Sequence, residues 1–164
     1  MKLFLPFVLL TFAFGYVSAQ TTKATGDIVV EIEAGKTVTM KAADLAKLPR
    51  KDVKAADHEG KEGTWSGIEL REILAPAGAK FGKDLRGGAI AQYLIVEAAD
   101  GYHAVYSLTE LDPDFTDKVV ILADKRDGMA LEAKDGPWQI IATNEKKHAR
   151  WVRQITTLKV KLAK

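Results

Sequence analysis

Tyr93 to Ser107, YLIVEAADGYHAVYS, sets two apolar, β-branched and aromatic runs on either side of Asp100-Gly101. An Asp-Gly pair between such runs is the strongest short-range hairpin signal, because both central residues of a type I′ turn need positive φ. A turn of that type puts Ala98 opposite His103, Val96 opposite Val105 and Leu94 opposite Ser107 on one face. Glu97, Ile95, Tyr102 and Tyr106 then share the other face. Both faces carry large apolar groups, so the hairpin is expected inside a larger sheet and not at a solvated edge. Its polar tip, Asp100, Tyr102 and His103, reads either as a site or only as a well-made turn.

The first residues read as an address. Met1-Lys2 is a short positive end, Leu3 to Val17 an apolar run, and Val17-Ser18-Ala19 supplies small residues before Gln20. This predicts a secretory signal peptide over residues 1–19, a flexible lead-in over 20–26 and one domain over 27–164, with no membrane span once the signal is cut. The expected location is the periplasm or the outside of the cell. The whole chain has 24 basic and 22 acidic residues, one basic residue lying in the leader, and so small a balance gives no electrostatic case for nucleic acid. Cysteine is absent. An exported chain without it has no disulfide framework, no zinc-thiolate site and no thiol nucleophile, and must be held together by packing.

Periodicity supplies the remaining elements. Asp27 to Glu33 alternates as a strand, Ala34-Gly35-Lys36 turns, and Thr37 to Met40 begins a second strand. Lys41 to Leu48 reads as a short helix stopped by Pro49. A strand follows over 52–56, then a polar loop over 58–63. Leu70, Ile73, Leu74 and Ala77 share one helical face, and Gly78 is placed to stop that helix. After the hairpin, residues 108–118 read as turns with one helical turn at most. Val119 to Ala123 and Met129 to Glu132 flank a second Asp-Gly pair, Asp127-Gly128. Trp138 to Ala142 and Thr157 to Leu162 read as strands, the latter half-buried. Eight to ten strands and two to three helices are expected, without repeats or an internal linker.

Six segments, "LPRKDV", "TWSGIELREIL", "ADGYHAVYSL", "ADKRDGMAL", "GPWQII" and "ARWVRQI", stand in an order that resembles the molybdopterin-binding domain of the sulfite oxidase type. The resemblance runs from about Gly26 to Val160. It implies an α+β, mostly β single domain, and a molybdopterin-type cofactor of the kind used for oxygen-atom transfer. Catalytic members carry a molybdenum-ligating cysteine before the Trp-x-Gly segment. Here that loop is Ala55-Ala56-Asp57-His58-Glu59-Gly60, so an imidazole is the nearest ligand candidate where a soft thiolate is expected. The chain is also much shorter than those enzymes.

Two constellations follow from the resemblance. His58, His103 and His148 are the three histidines, and the loops that hold them line one cofactor face in the family; with Asp57, Glu59 and Asp100 they would suit zinc, copper or iron. His58 and His103 are the metal candidates. The bland alternative is three unrelated polar residues. Lys146, Lys147, His148, Arg150 and Arg153 surround Trp151, and Arg150 matches the basic residue that holds pterin phosphate in the relatives, since a guanidinium fork suits phosphate. Its alternative is a solvated basic loop. The expected cofactor-binding set is therefore His58, Asp100, Tyr102, His103, Lys147, His148 and Arg150.

Other candidates carry less. Asp112, Asp114 and Asp117 lack the Gly and Glu of a calcium loop and fit Asx turns. Trp65, Trp138 and Trp151 either shape a pocket or fill the core, Ser66 and Ser107 sit in no nucleophile elbow, and Gly87-Gly88 reads as a loop hinge. Two functions are expected from all this. One is an exported molybdopterin-binding-type domain, oxidoreductase-like, without the usual cysteine. The other is a cofactor-free exported binding module for a small anion or a partner protein, or a histidine metal site. A redox or binding partner protein and a small anionic ligand are the partner classes implied.

Overall fold

The computed structural model describes residues 26–33 and 35–163, so the expected signal peptide and nearly all of the lead-in lie outside the described residues. Within them ten strands form two sheets. The first has the order β2 (Lys36–Met40), β1 (Ile28–Ile32), β10 (Ile155–Leu162), β5 (Gln92–Ala98), β6 (His103–Ser107). β1 and β10 run parallel and the other pairs antiparallel, which joins the start of the domain to its end. Period-2 alternation decides the faces. Val30, Leu158, Val96 and Ala104 are cross-strand neighbours, as are Val160, Leu94 and Tyr106, and all are buried. Glu31, Lys159, Ile95 and Val105 form a row on the outer face.

The second sheet has the order β3 (Lys51–Ala56), β4 (Glu62–Glu69), β7 (Val120–Arg126), β8 (Met129–Ala130), and β9 (Gln139–Ala142) pairs with the first half of β7. Val120 to Ala123 and Gln139 to Ala142 are buried at every position. Continuous apolar runs of this kind mark strands covered on both faces. The expected amphipathic helix is α2 (Leu70–Ala77): its four apolar positions are buried and Gly78 closes it in the left-handed conformation, φ +117°.

Several expectations are corrected. The central hairpin is not closed by a type I′ turn. Only Gly101 has positive φ, the loop is Ala99-Asp100-Gly101, and Ala98 exchanges hydrogen bonds with Tyr102 and Gly101. The register therefore shifts by one: Glu97 faces His103, Val96 faces Ala104 and Leu94 faces Tyr106. β6 is also an edge strand, with Val105 46 % exposed. The second Asp-Gly pair is the two-residue I′ turn expected, with φ +51° and +80°. The helix expected over 41–48 shrinks to α1 (Ala42–Leu45), for want of a side-chain cap and a longer apolar stripe. Residues 62–63, expected in the loop, belong to β4. The helical turn expected within 108–118 is a 3₁₀ turn over Leu108–Leu111, opened by a Ser107–Glu110 capping box. Asp112 is fully buried, accepts the Asp114 N–H (3.1 Å) as an Asx turn and accepts the Gly82 N–H (2.5 Å).

Candidate functional site

The β3–β4 loop, the β7–β8 hairpin and the stretch from Met129 to Gln139 surround a cavity of about 490 Å³, closed on one side by His148, Trp151 and Arg153. Its wall is built on two turns. Asp57 accepts the N–H groups of Glu59 (2.9 Å) and Lys61 (3.0 Å), which closes the β3–β4 loop as an Asx turn. Its other oxygen pairs with Arg126 at 2.8 Å. The Lys61 amide first, and then Arg126, hold the Asp57 carboxyl down at about 2, so it is charged wherever the protein is folded near neutrality. Arg126 also donates to Lys61 O (3.1 Å) and lies 4.8 Å over the Trp65 ring, a cation–π contact that ties the two hairpins into one wall.

Aromatic side chains make the inner surface. Trp65 meets Trp151 edge to face at 5.8 Å between centroids, and His148 lies on Trp151 at 4.0 Å. Trp65 Nε1 donates to Ala55 O (3.4 Å) and Trp151 Nε1 to Ala142 O (3.2 Å), so both rings are anchored to strands. The first residue of β9, Gln139, also belongs to the cavity wall; it is 4 % exposed and its buried Oε1 is unpartnered. An acceptor buried without a donor is uncommon and calls for an explanation.

The structure separates the expected site residues. His58 and His148 both line this cavity, His58 at the rim, 65 % exposed and 3.7 Å from Glu59. His103, Asp100 and Tyr102 sit at the tip of the β5–β6 hairpin and do not line it. Asp100 accepts the Tyr102 N–H (2.9 Å), His103 Nδ1 lies 3.3 Å from Gly101 O, and Tyr102 Oη donates to Ala149 O (2.6 Å). The three histidines are therefore not brought to one point. Among the described residues no group of three or more His, Cys, Asp or Glu is arranged to hold a metal ion.

The expected basic cluster also divides. Lys146 and Lys147 are exposed, outside the cavity lining. Arg153 pairs with Asp135 at 3.1 Å. Arg150 is not a free phosphate ligand: its guanidinium donates to Glu110 (3.1 and 3.3 Å), to Glu145 and to Val105 O (3.1 Å), and lies 4.4 Å over Tyr106. Lys118 joins both carboxylates, at 3.1 and 2.9 Å. Burial works to raise the Glu110 carboxyl, but Arg150, the Ser107 N–H and Lys118 outweigh it and bring it down to about 2. A carboxyl lowered from 4.5 in this way stabilises the fold fully above about pH 4.5 and loses that contribution as pH falls towards 2. Thermal unfolding followed from pH 6 to pH 2 is expected to show this acid limb, and a melting temperature flat across that window would contradict it.

Gln139, Arg126 and Asp135 are site residues that pattern reading passed over. Only Gln139 left a signal: it is the lone polar residue inside the apolar run Trp138 to Ala142.

With this geometry in hand, the chain can be set beside known proteins. No family model matches the sequence, and no curated protein matches it either. Solved structures do match. The sulfane dehydrogenase SoxCD from Paracoccus pantotrophus superposes with a TM-score of 0.65 at 17 % identity, over 85 % of this chain and 39 % of that one. The likeness shows the fold alone, a mostly β single domain, as expected from the sequence. The chain spans well under half the length of that neighbour. No helix among the described residues is long and apolar enough to cross a membrane.

Proposed function

We propose that this chain is an exported binding module on an oxidoreductase-type fold, and that it holds a small organic molecule in the cavity beneath Trp65 and Trp151. The observation that carries this reading is Gln139, 4 % exposed in the wall of the cavity with its amide oxygen unpartnered. A concavity of this size with two tryptophans in a polar wall has the dimensions of a small-molecule site. Likeness to an oxidoreductase subunit supports the fold, and the apolar leader of residues 3–17 supports export.

The residues around the cavity do not fit a pterin-dithiolene molybdenum cofactor. Its one sulfur is the Met129 thioether, 71 % exposed, where a thiolate ligand is needed. Arg150, the candidate for the pterin phosphate, is held by Glu110 and Glu145. Arg126 and Lys134, which do line the cavity, are paired with Asp57 and Glu132 at 2.8 and 2.9 Å.

The test is export in a host that makes molybdenum cofactor, followed by elemental analysis and oxidised-pterin fluorescence on the purified protein. A metabolite set is then screened by tryptophan emission. The expected outcome is neither molybdenum nor pterin near stoichiometry, with an emission change on binding that Gln139→Leu abolishes. Molybdenum and pterin together at about one per chain would overturn the reading.

A further inference from the structure

We propose that β3 is an interface for a second copy of this chain, the two β3 strands pairing antiparallel about a two-fold axis at Val53. The inference is independent of what the cavity holds. β3 ends the second sheet, hydrogen-bonded to β4 on one side and to no strand on the other. The direction of its main-chain groups follows from bonds at two neighbouring positions. Asp57 N–H donates to Lys61 O (3.0 Å) in the same ladder, which makes residues 51, 53, 55 and 57 those turned towards β4. Thr64, opposite Lys54, gives its N–H to Asp127 Oδ1 (2.8 Å) and accepts the Asp127 N–H (2.7 Å), on the side away from β3. Asp52, Lys54 and Ala56 therefore turn N–H and C=O outward, and among the described residues none of those groups has a partner.

An open edge is a template for another strand, and natural edges are usually guarded. β6 shows such guarding: the Val105 carbonyl accepts from Arg150 (3.1 Å) and the Ser107 N–H donates to Glu110 (3.0 Å). β2 is open, but its ladder turns Thr37 and Thr39 outward, uncharged and alike, so no register is preferred. β3 instead carries an acid and a base two residues apart on one face, both exposed. A lysine on an edge repels a second strand unless that strand brings it a carboxylate. Antiparallel pairing matches outward positions with outward positions, so the registers open to two copies of β3 move in steps of two residues. Centred on Val53, the pairing sets Asp52 opposite the partner's Lys54 and, by symmetry, Lys54 opposite the partner's Asp52. Centred on Asp52 or Lys54, it sets like charges face to face, which destabilises a sheet where opposite charges stabilise it. Centred on Ala55, it leaves Lys54 facing Ala56 with no carboxylate. Centred on Lys51, it brings the two Lys51 side chains together and draws on Arg50, which Asp124 already holds. One register alone satisfies both charges. Two hydrogen-bonded pairs and two ion pairs make a small interface, so the dimer is weak, with Kd on the order of 100 µM.

Sedimentation velocity on the whole exported protein, from well below to well above that concentration, tests this. In low salt the wild type is expected to pass from monomer to dimer, and about 0.5 M salt to weaken the dimer severalfold. Asp52→Lys and Lys54→Asp each put like charges across the axis and are expected to stay monomeric, with far-UV circular dichroism unchanged. Mixed in equal amounts, the two variants are expected to dimerise with each other, because every charge in one chain then faces its opposite in the other. Lys54 holds no ion pair among the described residues, so Lys54→Asp keeps the test decisive should Asp52→Lys, which loses the Ser66 hydroxyl, disturb the strand. A wild type that is monomeric throughout, a dimer that both variants keep, or a mixture of folded variants that stays monomeric would overturn the proposal.

Discussion

Gly67→Ala is expected to cost about 3 kcal/mol or more of stability, at the upper end of what overpacking does. Gly67 lies in β4 opposite Ala123 of β7, where the register shifts after Ser66. Its φ is not positive, so the requirement is one of approach and not of backbone conformation. A Cβ built there would lie 2.7 Å from Ala123 Cα and from the Leu122 carbonyl carbon, and closer still to the Leu122 oxygen. All three are main-chain atoms of the buried first half of a strand, Val120 to Ala123, clamped on its other side by β9. Nothing there can swing aside, so the two strands must separate and β4 must lose ladder bonds. Gly63 is the control. Its added Cβ meets the Arg126 side chain at 2.7 Å, and a guanidinium at the end of a flexible stem can move. Gly63→Ala is therefore expected to disturb the Arg126–Trp65 contact more than the fold. Urea unfolding of the two variants decides it. A Gly67→Ala loss within about 0.5 kcal/mol of wild type would show that the sheet accommodates the methyl.

The same clash explains part of what sequence could show. "TWSG" is conspicuous as a motif, but its glycine is needed because of Leu122 and Ala123, residues far along the chain, and no local pattern reports that. The two Asp-Gly pairs make the point more sharply. Asp127-Gly128 closes a two-residue turn, whereas Asp100-Gly101 is the end of a three-residue loop in which Ala99 donates to Gln154 O at 3.0 Å. One dipeptide serves two turns, and tertiary pairing chooses between them. Strand order was likewise out of reach. β6 became an edge because β10, the last strand, enters beside β5 and β1. Alternation placed Leu158 and Val160 on the buried face of β10, and spacing placed α2 and its glycine stop, because those depend on periods of two and 3.6 and on nothing distant, whereas the expected faces of β6 were exchanged once the turn shifted the register. At the site, Gln139 was legible as a polar residue in an apolar strand. The pairing of Asp57 with Arg126 was not, since it exists only once the two hairpins meet.

Arg150→Ala is expected to lower stability by about 2–4 kcal/mol while leaving the cavity's ligand affinity unchanged, and the two halves of that statement test different readings of one residue. If Arg150 served a phosphate, its removal would weaken a ligand and spare the fold. The geometry gives the reverse. Removing the guanidinium leaves Glu110 and the nearly buried Glu145, 7 % exposed at its side chain, sharing Lys118 alone, and uncovers the Tyr106 ring. Because Arg150 is one-third exposed, solvent screening keeps the loss below that of a fully buried pair. The turn carrying His148 stays in place, since Tyr106 Oη donates to the Arg150 carbonyl (2.7 Å) and Tyr102 Oη to that of Ala149, and neither bond needs the side chain. The pH dependence adds an independent sign. Without Arg150, Glu110 loses one of the partners that hold it down, so its pKa moves back towards 4.5 and less of its stabilisation remains to be lost in acid. The gap between wild type and variant is therefore largest near neutrality and narrows as pH falls through 4.5 towards 2. Chemical denaturation at pH 7 and pH 3 reads that gap directly. A loss equal at both values would detach Arg150 from the Glu110 carboxylate, and a weakened ligand with an undiminished fold would restore it to the binding site.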